Sequence, residues 1–178
     1  MRNSFARIKG FGFLVWHGKH YLIHVLLGLM WAWTLRELWQ VYNSKWVITA
    51  VVGSVLPDFD HMLYFTTYGK RDPYTKAVVT FLKTHQWRVL VRFIERGHKY
   101  NVNLTFHNFY ITAGIVCLTI GCYLYNWRFG VVLFGAMVTH YVFDAIDDWV
   151  MLGRLNPNWK RWGRGKKKSV PISIEDIL

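Results

Sequence analysis

Two short stretches carry residues whose types and spacing suit metal chemistry. His140 and Asp144 stand four apart, so on a helix they share one face and present an imidazole and a carboxylate to a single ion. Asp147 and Asp148 continue that face about one turn on. Upstream, Leu56-Pro57-Asp58-Phe59-Asp60-His61 sets two carboxylates and an imidazole behind a proline. Pro57 has no backbone N–H and frees the local backbone, which lets the chain turn ligands inward. His24 and His107 stand apart from both stretches. Imidazoles and carboxylates without a thiolate suit a hard-to-borderline divalent ion such as zinc, manganese or iron.

The candidate ligands are therefore His24, Asp58, Asp60, His61, His107, His140 and Asp144, a set large enough for one ion or two. Asp60 is either a ligand or the general base that takes a proton from water. Asp147 or Asp148 would orient a ligating His from behind. Each piece alone has a plainer reading. His140 with Asp144 makes a buried hydrogen-bonded pair, Asp58 and Asp60 make helix caps, and His107 makes a satisfied polar residue.

The elements that must position these groups are apolar. The chain has 178 residues, the size of one ordinary domain, with 53% hydrophobic, 18% aromatic and 18% charged residues. Its mean hydropathy is +0.14. Intrinsic disorder needs low hydrophobicity and is excluded. Cys117 and Cys122 lie in one apolar run and can form neither a disulfide framework nor a four-thiolate zinc site.

Four segments, about 21–42, 46–65, 104–127 and 129–152, have the length and apolar content of membrane spans. Residues 76–99 alternate apolar clusters with Lys83, Arg88, Arg92 and Arg96, and are expected to form an amphipathic interfacial helix. The tail mixes Trp159 and Trp162 with Lys166-Lys167-Lys168, which suits a headgroup layer. The expected fold is all-α, an integral membrane bundle of about four transmembrane helices plus that interfacial helix. Residues 1–155 would be a single helical membrane domain and 156–178 a basic cytoplasmic tail.

The net charge of +12 is unevenly distributed. Arg2, Arg7, Lys9 and Lys19 precede the first segment, eight Lys or Arg from Lys70 to Lys99 lie between the second and third, and Arg154 to Lys168 follow the fourth. The other side holds Arg36, Lys45 and Arg128. The positive-inside rule then puts both termini in the cytoplasm of a multi-pass protein of the inner (plasma) membrane. In that topology His24, Asp58, Asp60, His61, His107, His140 and Asp144 all fall toward the cytoplasmic ends of their helices. Ionisable residues inside a membrane mark functional sites.

These residues resemble a known family. Leu56-Pro57-Asp58-Phe59-Asp60-His61 is similar to the Leu-Pro-Asp-x-Asp-His signature of the YdjM-like inner-membrane metal-dependent hydrolases, some of them described as LexA-binding. His24-Val25-Leu26-Leu27-Gly28, Thr105-Phe106-His107-Asn108 and His140-Tyr141-Val142-Phe143-Asp144 resemble the family's other elements in the same order, over about 20–150. The family's His-Arg-Gly-x-Thr-His element is not intact here. Its arginine, which could hold a phosphate bidentately, is missing from that place.

The resemblance implies a membrane-embedded metal-dependent hydrolase with one or two divalent ions. Its substrate would be a phosphoester or lipid-like molecule at the cytoplasmic membrane face, and membrane lipids would be its partners. The competing reading is a non-catalytic membrane subunit with protein partners in a larger complex, keeping the Asp/His cluster as a structural metal or polar site. The missing arginine and the aromatic content favour the second reading. A nucleic-acid binder would account for the charge, but for neither the apolar segments nor the buried acids.

Overall fold

The structure is a computed structural model that describes residues 11–101 and 104–161. Arg2, Arg7, Lys9, Trp162 and the Lys166-Lys167-Lys168 run lie outside the described residues. The fold is all-α, with no strand among the described residues. In chain order the helices are α1 (Phe11–Trp39), α2 (Ser44–Val55), α3 (Phe59–Leu63), α4 (Pro73–Lys83), α5 (Trp87–Asn101), α6 (Phe109–Leu124) and α7 (Arg128–Leu152). Short 3-10 helices cover Leu56–Asp58 and Pro157–Lys160, and a π-helical turn covers Tyr64–Tyr68.

Local chemistry sets these boundaries. The Asn43 side chain accepts from Lys45 N–H and caps α2, and Asn108 accepts from Ile111 N–H and caps α6. After α6, Asn126 takes a left-handed φ of 57°. Trp127 N–H then donates to Cys122 C=O at 2.8 Å and Asn126 N–H to Tyr123 C=O at 3.0 Å, the two-bond pattern that closes a helix. Gly153, at φ 63°, ends α7.

The same device divides the segment expected as one amphipathic helix over 76–99. His85 adopts φ 54°, Gln86 N–H donates to Phe81 C=O and His85 N–H to Leu82 C=O, so α4 stops and α5 begins. Of the four apolar segments, 46–65 remains helical but changes type at Leu56-Pro57, and 104–127 becomes helical only from Phe109. Among the described residues one helix, over Arg128–Val150, is long and apolar enough to cross a membrane, and Phe109–Leu124 is apolar but shorter.

The chain divides into two compact units. One includes residues 61–103. There α4 and α5 meet through aromatic rings, with Tyr74 stacked on Phe93 at 4.9 Å and Phe81 edge-on to Phe93 at 5.4 Å. Tyr64 is buried and donates from its hydroxyl to Asp72 Oδ2 at 3.0 Å. Lys76, Lys83, Arg88 and Arg92 are exposed, as are Val79, Leu82 and Trp87.

The other unit comprises residues 21–60 and 104–165 and is built on α1, α2, α6 and α7. Small residues bring its helices together. A Cβ on Gly53 would lie 2.5 Å from Leu133 C=O on α7, and one on Gly28 would lie 2.5 Å from Ser54 Oγ and 2.8 Å from Ala50 C=O. Ala50, Val132 and Ala136 are fully buried in the same core. Helices approach this closely only where no side chain intervenes. Farther along, Arg128 sits over the Trp39 and Trp46 rings at 5.3 and 5.8 Å.

Beside its apolar core this unit buries a set of polar residues and leaves many large apolar ones exposed. His24, Ser54, Asp58, Asp60, His107, Asn108 and His140 are buried, while Leu22, Leu26, Met30, Trp33, Leu38, Ile48, Leu118, Ile120, Trp149 and Val150 are exposed.

Gly53→Ala is expected to destabilise the purified protein by about 1–3 kcal/mol, because the new methyl meets backbone rather than a movable side chain. Gly114→Ala on α6, where nothing stands within 4 Å of a Cβ, is expected to stabilise by about 0.5–1 kcal/mol through helix propensity. Thermal unfolding followed by circular dichroism checks both signs.

Candidate metal centre

The site forms where the close helix crossings bring polar residues into register. On α1, His24 stands one turn before Gly28. At the end of α2, Gly53 and Ser54 lead into Asp58 within the 3-10 turn and Asp60 at the start of α3. On α7, His140 follows Ala136 by one turn and Asp144 follows by another. His107 comes from the non-helical stretch that precedes the Asn108 cap of α6.

Asp144 is the hub. Its Oδ2 lies 3.0 Å from His140 Nε2 and 3.4 Å from His107 Nε2. Its Oδ1 lies 3.4 Å from His24 Nε2. Asp58 Oδ1 stands 3.9 Å from His140 Nε2. His24 and His140 are fully buried, Asp58 and His107 nearly so, and the Asp144 side chain is 13% exposed.

Two further contacts orient the imidazoles. His140 Nδ1 lies 2.6 Å from Ser54 C=O. A carbonyl only accepts, so Nδ1 carries the proton and donates, and Nε2 is the nitrogen turned toward Asp144. His107 Nδ1 lies 3.3 Å from Asp60 Oδ2, a carboxylate that likewise accepts, so the same assignment holds. Asp60 Oδ2 also accepts from Phe106 N–H at 2.8 Å, which fixes the stretch carrying His107.

Both Nε2 atoms therefore face Asp144 Oδ2 at 3.0–3.4 Å. With a proton on Nε2 each contact is a hydrogen bond to the carboxylate, and a metal ion would take the place of those protons. The spacing fits one. Ligands of a four-coordinate zinc-like ion stand about 3.3–3.6 Å apart, given bond lengths of about 2.0–2.2 Å. The donor atoms of Asp58, His107, His140 and Asp144 all lie within 4.8 Å of one another. This buried His/Asp group could hold a metal ion, and its nitrogen and oxygen donors suit the borderline divalent metals.

The predicted residues thus divide by position. His24, Asp58, His107, His140 and Asp144 come together. Asp60 is buried behind His107, in the arrangement by which a carboxylate orients a metal-binding imidazole, rather than among the converging donors. His61 is half-buried, belongs to the other unit and is not in the converging group. Asp148 accepts from Trp159 Nε1 at 2.9 Å, and Asp147 is half-buried.

Trp159 departs from the expectation of a headgroup-layer aromatic in the tail. It is 2% exposed, and its ring packs near Phe109, Tyr141 and His107 at 5.3, 6.3 and 6.4 Å. The 3-10 helix Pro157–Lys160 folds back because Asn156 caps it through Asn158 N–H, and because the indole finds an acceptor in Asp148. Sequence reasoning also missed Ser54 and Phe106, whose contributions come from backbone atoms that residue type does not reveal.

Asp144→Asn and His140→Ala are expected to abolish metal retention in the purified protein, read by elemental analysis. Asp60→Asn is expected to weaken metal affinity about 10–100-fold without abolishing it, because it acts through His107. Complete loss in Asp60→Asn would instead make Asp60 a direct ligand. No family model, curated protein or solved structure matches this chain.

Proposed function

We propose that this protein is a membrane-embedded, metal-dependent hydrolase acting on a phosphoester or lipid-like substrate at the cytoplasmic membrane face. The observation that carries the reading is the convergence of the His107 and His140 Nε2 atoms and Asp144 Oδ2 on one buried point. A divalent ion held there supplies Lewis acidity, activating water and polarising a phosphoryl oxygen. His24, Asp58, His107, His140 and Asp144 would hold it. Ser54 C=O and Asp60 keep the protons of His140 and His107 on Nδ1. Trp159 and Tyr141 wall the His107 side with buried aromatic surface and keep bulk water out.

The many outward-facing apolar side chains of α1, α2, α6 and α7, around buried His24, Asp58, Asp60, His107 and His140, support a lipid environment. The charge asymmetry and the Leu-Pro-Asp-x-Asp-His resemblance support the orientation and the hydrolase class. One observation favours the non-catalytic subunit instead. Asp60, the residue assigned as general base, is already engaged by Phe106 N–H and His107.

Fractionation followed by assay separates these readings. The protein is expected in the membrane fraction, resistant to high salt and released by detergent. The purified protein is expected to carry a transition metal and to hydrolyse p-nitrophenyl phosphate or a phospholipid. That activity should be lost on chelation, restored by metal and absent in His140→Ala. Metal without turnover on either substrate, together with a partner that co-purifies in fixed ratio, would select the subunit.

A further inference from the structure

We infer that the centre holds two divalent ions, with Asp144 as the carboxylate that bridges them. The inference rests on the metal-site reading above and extends it. The two oxygens of Asp144 address different partners. Oδ2 meets His107 and His140, while Oδ1 meets His24 Nε2 at 3.4 Å. A single ion that also took His24 would need His24 and His140 to converge on it, and their rings are stacked instead. The centroids lie 3.9 Å apart at an interplanar angle of 25°. Nearly parallel imidazoles at that spacing aim their nitrogens along neighbouring lines rather than at one point.

Asp58 stands beside both positions. Its carboxylate lies within 4.8 Å of the His107, His140 and Asp144 donors, and also of the His20, His24 and Asp144 donors. One ion would therefore take His107, His140 and Asp144 Oδ2, and the other His24 and Asp144 Oδ1, with Asp58 in reach of either position.

The charges then define the substrate class. Two divalent ions outweigh the carboxylates of Asp58, Asp60 and Asp144, so the loaded centre is cationic. It would take a substrate with an anionic phosphoryl group, whose oxygens can span both ions. A neutral ester or amide offers no such pair of charged oxygens.

Manganese titration of the purified full-length chain tests the inference, with binding measured by equilibrium dialysis and the bound ions by electron paramagnetic resonance. Wild type is expected to bind two Mn(II) per chain and to give an exchange-coupled spectrum. His24→Ala is expected to bind one and give the spectrum of isolated Mn(II). Wild type alone decides the matter should His24→Ala fold poorly. One ion per chain in wild type overturns the two-ion centre while leaving the single-metal reading intact. Two ions without magnetic coupling overturn the Asp144 bridge. No bound ion overturns both readings.

Discussion

Asp144 is the group around which the larger unit is organised. A carboxylate held at 13% exposure among three imidazoles is costly to remove from water unless every neighbour compensates it. Here the neighbours arrive from α1, from the stretch before α6 and from α7 itself. Each carries its own constraint. His140 is tied to Ser54 C=O, His107 to Asp60, and Asp60 in turn to the Phe106 backbone. The geometry is therefore over-determined from behind, and the Nε2 atoms are left pointing inward. That is what preorganises a metal centre, because ligands already fixed lose little freedom when an ion arrives.

Helix packing sets the tolerance of this arrangement. Gly28 and Gly53 let α1, α2 and α7 approach to backbone contact, and Ala50 and Ala136 line the same seam. His24, Asp58 and His140 lie within one or two turns of those contacts. A helix displaced by the width of a methyl group would move each donor by a comparable distance, which is large against the few tenths of an ångström that coordination allows. The apolar exterior and the polar interior are two aspects of one solution. His24, Asp58, His140 and Asp144 face one seam, and the charged residues that stay exposed on α1 and α2, Arg36, Glu37 and Lys45, lie near the turn between those helices.

Trp159 adds a second layer. The chain leaves α7 at Gly153, turns back and buries an indole beside His107 and Tyr141. Asp148 and Trp159 hold that return in place. The acidic side chain nearest the end of α7 thus anchors the segment that shields the centre. Its contribution is to water exclusion, and the orientation of the imidazoles falls to Ser54 and Asp60.

The sequence by itself determined what lies within one element. Four-residue spacing put His140 and Asp144 on one face of α7, and apolar content marked the helical segments. It also identified the residues whose chemistry suits a divalent ion, because side-chain type is enough for that. Only the tertiary structure decided which atoms meet. The His140–Ser54 contact joins residues 86 apart in sequence and the His107–Asp60 contact joins residues 47 apart. Periodicity says which residues share a face, but not how two faces are rotated against each other. That rotation comes from the fit of Gly28 and Gly53 against their neighbours. For this reason Asp60 reads in sequence as a ligand or base and stands in space behind His107. For the same reason Trp159 reads as a tail residue and lies in the core. The break at His85 belongs to the same class, since a left-handed φ on a histidine follows from the closing hydrogen bonds of α4 rather than from residue type.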